Sequence, residues 1–163
     1  MTIQAKDYGS LLSAAIGTAT KTITAAGAGD AAYEAGATLD LLTQDQPLSG
    51  LAVVIYSTTL QDTESLSMKL KIEHGDESDL SDAADYDFGP PENDNRDAEV
   101  DKGVLVTSDG GTTETGIVTQ RFDLSGLKRY WRLSTYVDLS ASGTDTVTFA
   151  SGVVLGGTAN PIT

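Results

Sequence analysis

The sequence predicts an all-β protein: one antiparallel β-sandwich domain across residues 1–163, with jelly-roll connections. Composition is the first reason, because 17 glycines accompany many alanines, serines and threonines, and small, β-branched and turn-forming residues favour strands. The second is that about eight short segments show the two-residue alternation of strands, separated by glycine and serine turns. The third is that the chain shows neither alternating helix and strand patterns nor a repeat of fixed period.

The N-terminal segment, residues 1–19, is predicted to be a short helix or an arm. Within residues 4–16, Tyr8, Leu11 and Leu12 recur at helical spacing. Two interpretations follow: a helix that covers one end of the core, and an arm that docks on a neighbouring subunit. The second makes these three side chains candidate subunit or capsid contacts.

Four strands are predicted in the first half of the chain, at residues 20–24, 38–42, 50–56 and 66–74. The small, glycine-rich residues 25–36 predict a loop. The strand at 50–56 is apolar on both faces, which is typical of a central strand or of a subunit interface. We therefore add Val54 and Tyr56 to the candidate contacts. The strand at 66–74 alternates most clearly, with four apolar side chains facing inward.

The segment at residues 75–102 contains eleven acidic and two basic residues. It predicts a long acidic surface loop inserted between strands. Its carboxylates are hard oxygen ligands of the kind that calcium prefers, but their order does not match an EF-hand. A run of charged side chains hydrated by solvent is therefore the favoured interpretation. The carboxylates that raise the calcium alternative are those of Asp85, Asp87, Glu92 and Asp94.

Four more strands are predicted after the acidic segment, at residues 104–107, 117–122, 129–139 and 146–155, with a turn at 109–111. Tyr130, Trp131 and Tyr136 suggest a sugar-binding platform. Trp131 and Tyr136 lie on opposite faces of their strand, so Trp131 is predicted to be core. The expected core comprises Leu66, Met68, Leu70, Ile72, Trp131, Leu133, Val147 and Phe149.

The residue types that catalysis needs are scarce. His74, the only histidine, ends a strand on its inward face, and no Gly-x-Ser-x-Gly elbow accompanies it. We expect an ordinary hydrogen bond from His74. The chain has no cysteine, which with one histidine argues against zinc, and no phosphate-binding glycine loop is present. The sequence thus predicts a protein that is not an enzyme and has no catalytic residue, cofactor or metal; a hydrolase on this scaffold is the least favoured alternative.

The charge balance excludes classes of partner. The formal net charge is −14, so the chain repels nucleic-acid backbones and anionic membrane surfaces. No apolar run approaches the roughly 20 residues that span a bilayer. The first residues make a poor secretory leader, because an aspartate occupies the region that should be basic, and we expect them to belong to the mature protein.

Two predicted strands carry a resemblance to a known family. They are Lys71-Ile72-Glu73-His74, which is followed by an acidic turn, and Gly126-Leu127-Lys128-Arg129-Tyr130-Trp131-Arg132-Leu133. Both resemble strands of small phage β-sandwich virion proteins of the capsid-decoration, or cement, type. The ending Val153-Val154-Leu155-Gly156-Gly157, which runs towards Pro161, is similar too. The likeness spans roughly residues 66–161, and residues 89–101 depart from it.

This resemblance implies a structural virion protein of a bacteriophage. Such a protein is made in the host cytoplasm, binds the major capsid protein on the outer surface of the capsid, often as a homotrimer, and stabilises the shell. The alternative is a carbohydrate- or receptor-binding module of a phage fibre or adhesin, which uses the loops of the same sandwich. A large apolar contact surface would favour decoration, and an exposed aromatic cluster or a bound calcium would favour the alternative.

Overall fold

The computed structural model describes residues 12–44, 47–86, 99–124, 126–140 and 143–158. These ranges contain eleven strands and, at Leu41–Gln44, one turn of 3₁₀-helix. The strands are β1 (Leu12–Ile16), β2 (Lys21–Thr24), β3 (Ala32–Ala35), β4 (Leu39–Asp40), β5 (Pro47–Thr59), β6 (Ser65–Gly75), β7 (Ala84–Tyr86), β8 (Glu99–Thr107), β9 (Thr113–Asp123), β10 (Tyr130–Leu139) and β11 (Thr146–Thr158).

The strands form two antiparallel sheets that pack face to face, which confirms the predicted β-sandwich. Sheet A runs in the order β1/β2, β11, β5, β9, and sheet B in the order β3/β4, β10, β6, β7/β8. Strands joined by a slash lie end to end along one neighbour, so eleven segments fill eight strand positions. In chain order these positions read 1-8-3-6 in one sheet and 2-7-4-5 in the other, which is jelly-roll connectivity.

The core lies between the sheets and is built by the alternation of their central strands. All eight predicted core residues are buried, so this prediction is confirmed. Trp131 of sheet B contacts Phe122 of sheet A edge to face, with ring centroids 5.9 Å apart. The described residues of the core cluster are Ile23, Ala25, Ala52, Val54, Tyr56, Leu60, Leu66, Met68, Leu70, Ile72, Val118, Phe122, Leu124, Trp131, Leu133, Val137, Leu139, Val147, Phe149, Val153 and Leu155.

The two sheets meet along one side of the sandwich at a pair of glycines. The backbone N–H of Ala37 donates to the carbonyl of Gly17 at 2.7 Å, which joins the edge of sheet B to the edge of sheet A. A Cβ on Gly36 would lie 2.9 Å from the carbonyl carbon of Gly17, so the approach requires glycine. The ion pair of Lys21 with Glu34 closes the same side.

The predicted N-terminal helix is wrong over the residues that the structure describes. Residues 12–16 form strand β1, which pairs with residues 152–156 of β11. Ala15 packs against the core, whereas Ile16 on the other face is exposed, so the segment alternates as a strand does. Because most of its residues are small, the segment has little apolar alternation by which the sequence could identify a strand. Tyr8 and Leu11 lie outside the described residues.

Two predicted loops contain strands. Residues 32–35 of the glycine-rich segment form β3, which pairs with residues 134–137 of β10. The acidic segment holds β7 and the start of β8, both paired with β6, and residues 87–98 lie outside the description. Charged side chains such as Asp85 and Asp101 occupy alternate, solvent-facing positions of these edge strands. Composition therefore suggested a loop where a strand lies.

The remaining boundaries follow local hydrogen bonding. The predicted strand at 38–42 is cut to two residues because Asp40 starts the 3₁₀ turn: its Oδ1 accepts from the N–H of Leu42 at 2.9 Å, and the hydroxyl of Thr43 donates to its carbonyl at 2.8 Å. The predicted turn at 109–111 is confirmed between β8 and β9. Gly110 and Gly111 have φ values of 108° and 69°, a conformation that favours glycine.

Candidate interaction surface

Among the described residues, the outer side of sheet A carries charge only at one corner, where Arg121 and Asp123 lie. Alternation along the strands turns apolar side chains into the core and leaves these positions outside. We call this surface the uncharged face. Its described residues are Ala14, Ile16, Thr22, Thr24, Leu51, Val53, Ile55, Ser57, Thr59, Thr113, Thr115, Ile117, Thr119, Thr146, Thr148, Ala150 and Val154.

An apolar row crosses the centre of the uncharged face. Ile55 of β5 lies opposite Ile117 of β9 on one side and Ala150 of β11 on the other. The side chains of Ile55 and Ile117 are 57% and 66% exposed, and Ile16, in the adjacent row, is 69% exposed. Residues directly opposed across antiparallel strands are about 5 Å apart, so these side chains form one patch. Contiguous exposed apolar surface is the kind of surface that can serve as a contact site, which makes this row a candidate.

Hydroxyl groups fill the rows beside the apolar one. The hydroxyls of Thr22 and Thr148 are 2.8 Å apart, and those of Thr59 and Thr113 are 3.0 Å apart. Hydroxyls hydrate without charge, and removing them from water costs far less than removing carboxylates. The face is therefore suited to remaining soluble alone and to losing its water against a partner. The hydroxyl rows are Thr22, Thr148, Ser57 and Thr115, then Thr24, Thr146, Thr59 and Thr113.

The outer side of sheet B has the opposite character, because its charges pair with one another. Arg132 Nε and Ser134 Oγ donate to Oε2 of Glu73 at 2.8 Å and 2.7 Å. Lys71 Nζ lies 3.2 Å from Oε1 of the same carboxylate and 3.2 Å from Asp85. Burial alone raises the pKa of Glu73, but the three donors outweigh it and hold the pKa at about 2. The charges around Glu73 therefore neutralise one another at the centre of this face.

Of the four described tyrosines on sheet B, Tyr33 and Tyr136 pack against each other, and the guanidinium of Arg129 lies 4.8 Å from the ring centroid of Tyr130. Tyr33 and Tyr136 are half-buried and pack at a centroid distance of 5.3 Å. The ammonium of Lys71 lies 4.6 Å from the ring centroid of Tyr33, and that of Lys69 lies 5.3 Å from that of Tyr136. A cation over the ring takes the face on which a sugar would stack. Trp131 is buried in the core, as predicted, so the three-residue aromatic platform does not form.

Acidic side chains stabilise the turn that follows β6. In the turn after β6, the carboxylate of Asp82 accepts from the N–H groups of Asp76 at 2.8 Å and Glu77 at 3.2 Å. These backbone hydrogen bonds lower the pKa of Asp82. Lys128 Nζ lies 2.9 Å from the carboxylate of Asp76. The turn is thus fixed by its own carboxylates.

The calcium alternative depends on residues that are mostly outside the description. Of its four carboxylates, Asp85 pairs with Lys71, while Asp87, Glu92 and Asp94 are not among the described residues. Within the described ranges, no group of three or more acidic or histidine side chains is arranged to hold a metal ion.

His74 forms the strand-end hydrogen bond that the sequence predicts. Its Nδ1 accepts from the backbone N–H of Lys128 at 3.1 Å, and its ring meets Tyr86 edge-on at a centroid distance of 5.1 Å. Burial lowers the pKa of His74 and the charge of Lys128 lowers it further, against the opposing pull of Asp76 and Asp82. The imidazole joins β6 to the segment that precedes β10.

The structure reassigns the contact residues on β5. The side chains of Val54 and Tyr56 are 0% and 7% exposed and face the core, so a partner cannot reach them. Ile55 lies on the opposite face of the same strand. Leu12 belongs to β1, with its backbone opposite Gly156, and its side chain is not among those described. Of the apolar side chains at the centre of this strand, Ile55 is therefore the exposed one, and a contact through β5 stays a prediction.

The surface residue that the sequence reasoning missed is Ile117. The signal was present, because residues 113–119 alternate between uncharged outer positions and inner ones, with threonine or isoleucine at every second place. Two-residue alternation shows which side chains share a face of a strand, but it does not show which face is buried. A threonine such as Thr115 can lie on either the buried or the exposed face, so it does not settle the question.

Comparisons with known proteins do not assign a function to the chain. No protein-family model matches the chain, and no curated protein matches it. Among the described residues, none of the helical structure has the length and apolar character needed to cross a membrane.

Proposed function

We propose that the protein is a structural component of a bacteriophage virion that attaches to the outer surface of the capsid and stabilises it. The major capsid protein is its partner and the uncharged face is its contact surface. One observation supports this most: an apolar, hydroxyl-rich sheet face free of acids, apart from its corner, in a chain of net charge −14. Within this proposal the protein is made in the host cytoplasm, carries no catalytic function and self-associates, as a trimer if the resemblance holds.

The physical argument concerns where the charge lies. Carboxylates cost several kcal/mol each to remove from water without a partner, so a docking surface is best placed where there are none. The described acids lie on sheet B, at the turns and at the corner of sheet A. Attachment through sheet A would direct the acidic turns away from the shell, where they maintain solubility. Binding only the folded state also stabilises that state by mass action.

The test starts from the genes beside this one: the proposal expects a major capsid gene among them, and its product is assembled into shells. The proposal expects the chain to cosediment with these shells and to raise their temperature of disruption. An absence of any neighbouring capsid gene, or shells that neither bind the chain nor gain stability, would contradict it.

The carbohydrate- or receptor-binding alternative is tested in parallel. Its structural requirement is an open aromatic surface, and on sheet B a lysine ammonium lies over the ring of Tyr33 and another over that of Tyr136. Binding to immobilised host-cell glycans that is lost in Tyr33→Ala and retained in Ile117→Asp would favour this alternative. Shell binding that is lost in Ile117→Asp and retained in Tyr33→Ala would favour decoration.

A further inference from the structure

One imidazole joins the segment that precedes β10 to the end of β6. The backbone N–H of Lys128 donates to Nδ1 of His74 at 3.1 Å. A ring nitrogen accepts a hydrogen bond only when it carries no proton, so this imidazole is neutral and holds its proton on Nε2. The contact therefore exists in only one of the two charge states of the ring.

Charged groups on the two sides of this ring act on it in opposite directions. Burial lowers the pKa of His74 the most, and the ammonium of Lys128 lowers it further. The carboxylates of Asp76 and Asp82, in the turn after β6, raise it. An imidazolium at this position is thus repelled by the residue that binds the neutral ring and attracted by the acids of the turn.

The neighbouring strands bring aromatic rings to His74. Tyr86 of β7 meets the imidazole edge to face at a centroid distance of 5.1 Å, and Trp131 of β10 lies opposite His74 in the sheet. The phenol of Tyr86 also lies against Gly126, where a Cβ would be 3.2 Å from Oη. Three elements therefore meet at the ring, and Lys128, Asp76 and Asp82 supply the charges around it.

We infer that His74 is a pH-sensitive switch: when Nδ1 takes up a proton, Lys128 separates from the end of β6 while the sandwich stays folded. The proton comes from solvent and binds the lone pair that had accepted the hydrogen bond, so an N–H group then faces an N–H group. The new cation also competes for the carboxylate of Asp76, which in the neutral state lies 2.9 Å from Nζ of Lys128. Lys128 loses its backbone contact directly and its ion pair by competition.

The contacts on either side of Lys128 confine the change. The carbonyl of Arg129 accepts from the N–H of Leu41 at 2.9 Å, and its guanidinium pairs with Asp40 at 2.9 Å. On the other side, the N–H of Leu127 donates to the carbonyl of Leu124 at 3.1 Å. None of these contacts involves His74, so protonation leaves both ends of the segment attached.

Linkage gives the sign and the size of the effect. The proton and the hydrogen bond exclude each other, so each weakens the other by the same factor. The contact is complete above about pH 6.5, the ordinary pKa of histidine, and is lost as the pH falls through the lower pKa of folded His74. This inference does not depend on the capsid proposal, because His74 lies at the end of a strand of sheet B and the uncharged face belongs to sheet A.

The test is hydrogen exchange at the Lys128 amide, measured by NMR on the full-length protein. Protection is expressed relative to the intrinsic exchange rate at each pH. We expect the protection of Lys128 to fall by up to about tenfold per pH unit below the pKa of His74, because opening follows the protonated fraction. The amide of Leu70, in the middle of β6, should keep its protection over the same range.

Two substitutions of the histidine separate the acceptor from the ring. In His74→Asn, the amide oxygen can take the place of Nδ1 and does not titrate, so the protection of Lys128 should not change with pH. His74→Phe keeps an aromatic ring beside Tyr86 but has no acceptor, so Lys128 should exchange rapidly at every pH. Near-UV circular dichroism checks that both variants are folded.

Two charge variants should move the midpoint of the transition in opposite directions. Lys128→Gln removes a charge that lowers the pKa of His74, so its midpoint should lie at higher pH than that of the wild type. Asp76→Asn removes a charge that raises this pKa, so its midpoint should lie at lower pH. This pair keeps the inference testable even if a variant at position 74 does not fold.

Four results would overturn the inference. They are protection of Lys128 that does not change with pH in the wild type, a fall that Leu70 shares, the same fall in His74→Asn, or midpoints that move in the same direction in both charge variants. A fall shared by Leu70 would mean that acid unfolds the whole domain. Shell binding can succeed or fail independently of these outcomes, so the two proposals are tested separately.

Discussion

At the scale of single residues, Glu73 shows how sheet B manages its charges. Burial opposes ionisation, and three donors reverse that effect. Because its pKa falls from 4.5 to about 2 on folding, the ionised carboxylate stabilises the protein above about pH 4.5, and this contribution is lost as the pH falls towards 2.

Glu73→Gln is expected to lower the free energy of unfolding by about 1 kcal/mol at neutral pH. The value is below what the full pKa displacement would give, because solvent screens a partly exposed network. The difference from the wild type should shrink as the pH falls below 4.5. Urea unfolding at several pH values measures it, with Glu77→Gln on an exposed turn as the control. A difference that does not change with pH would contradict the assignment.

The lowered pKa of His74 predicts a second effect of pH on stability, at a higher pH than the effect of Glu73. Its pKa is lowered in the folded state, so the unfolded chain binds the proton more tightly. The stabilising contribution is complete above about pH 6.5 and is lost as the pH falls through the lower, folded-state pKa. His74→Gln should therefore remove part of the decline in stability on mild acidification. Equal slopes for both proteins would refute this.

Leu70 tests the core. It is fully buried in β6, and Leu70→Ala should cost about 2–5 kcal/mol through lost burial and the cavity left behind. Denaturant unfolding measures this, and Glu77→Ala on the exposed turn should change stability by less than about 0.5 kcal/mol. A loss at position 70 as small as that of the control would mean that the inward face of β6 is misassigned.

At the scale of elements, strand β1 decides which N-terminal truncations leave the sheet intact. Deleting residues 1–16 would remove a strand that pairs with β11 and carries Ala15 into contact with the core. We expect that deletion to cost about 1–3 kcal/mol more than deletion of residues 1–11, which leaves every described strand intact. Calorimetry of the two truncations distinguishes these outcomes. Equal stabilities would show that β1 contributes nothing to the sheet.

The sequence was most informative where burial enforces alternation. In β6, apolar and polar residues alternate over the whole strand because one side meets the core. Edge strands such as β3 and β7 were missed, since three or four residues paired on one side show little periodicity. The exposed side of β5 could not be predicted from its sequence: the strand is apolar on both sides, and deciding which side is core requires the second sheet, which places Val54 against it and leaves Ile55 outside.

At the scale of the whole molecule, the sandwich separates two surfaces. Sheet B carries paired charges around Glu73, and sheet A carries almost none, although the chain as a whole is strongly acidic. The separation follows from the jelly-roll connectivity, which sends the threonine-rich strands β2, β9 and β11 to one sheet. One face can therefore bind a flat partner while the rest of the molecule stays hydrated.

The most direct test of the proposed contact surface is cosedimentation of two variants with shells of the neighbouring major capsid protein. The double variant Ile55→Asp, Ile117→Asp places two carboxylates at the centre of the uncharged face, and Val104→Asp places one at a similarly exposed position on sheet B. We predict that the first binds at least about tenfold more weakly, a loss of about 1.4 kcal/mol or more, and that the second binds as the wild type does. Wild-type binding by the double variant, or a loss confined to Val104→Asp, would contradict the proposal that sheet A is the surface that meets the shell.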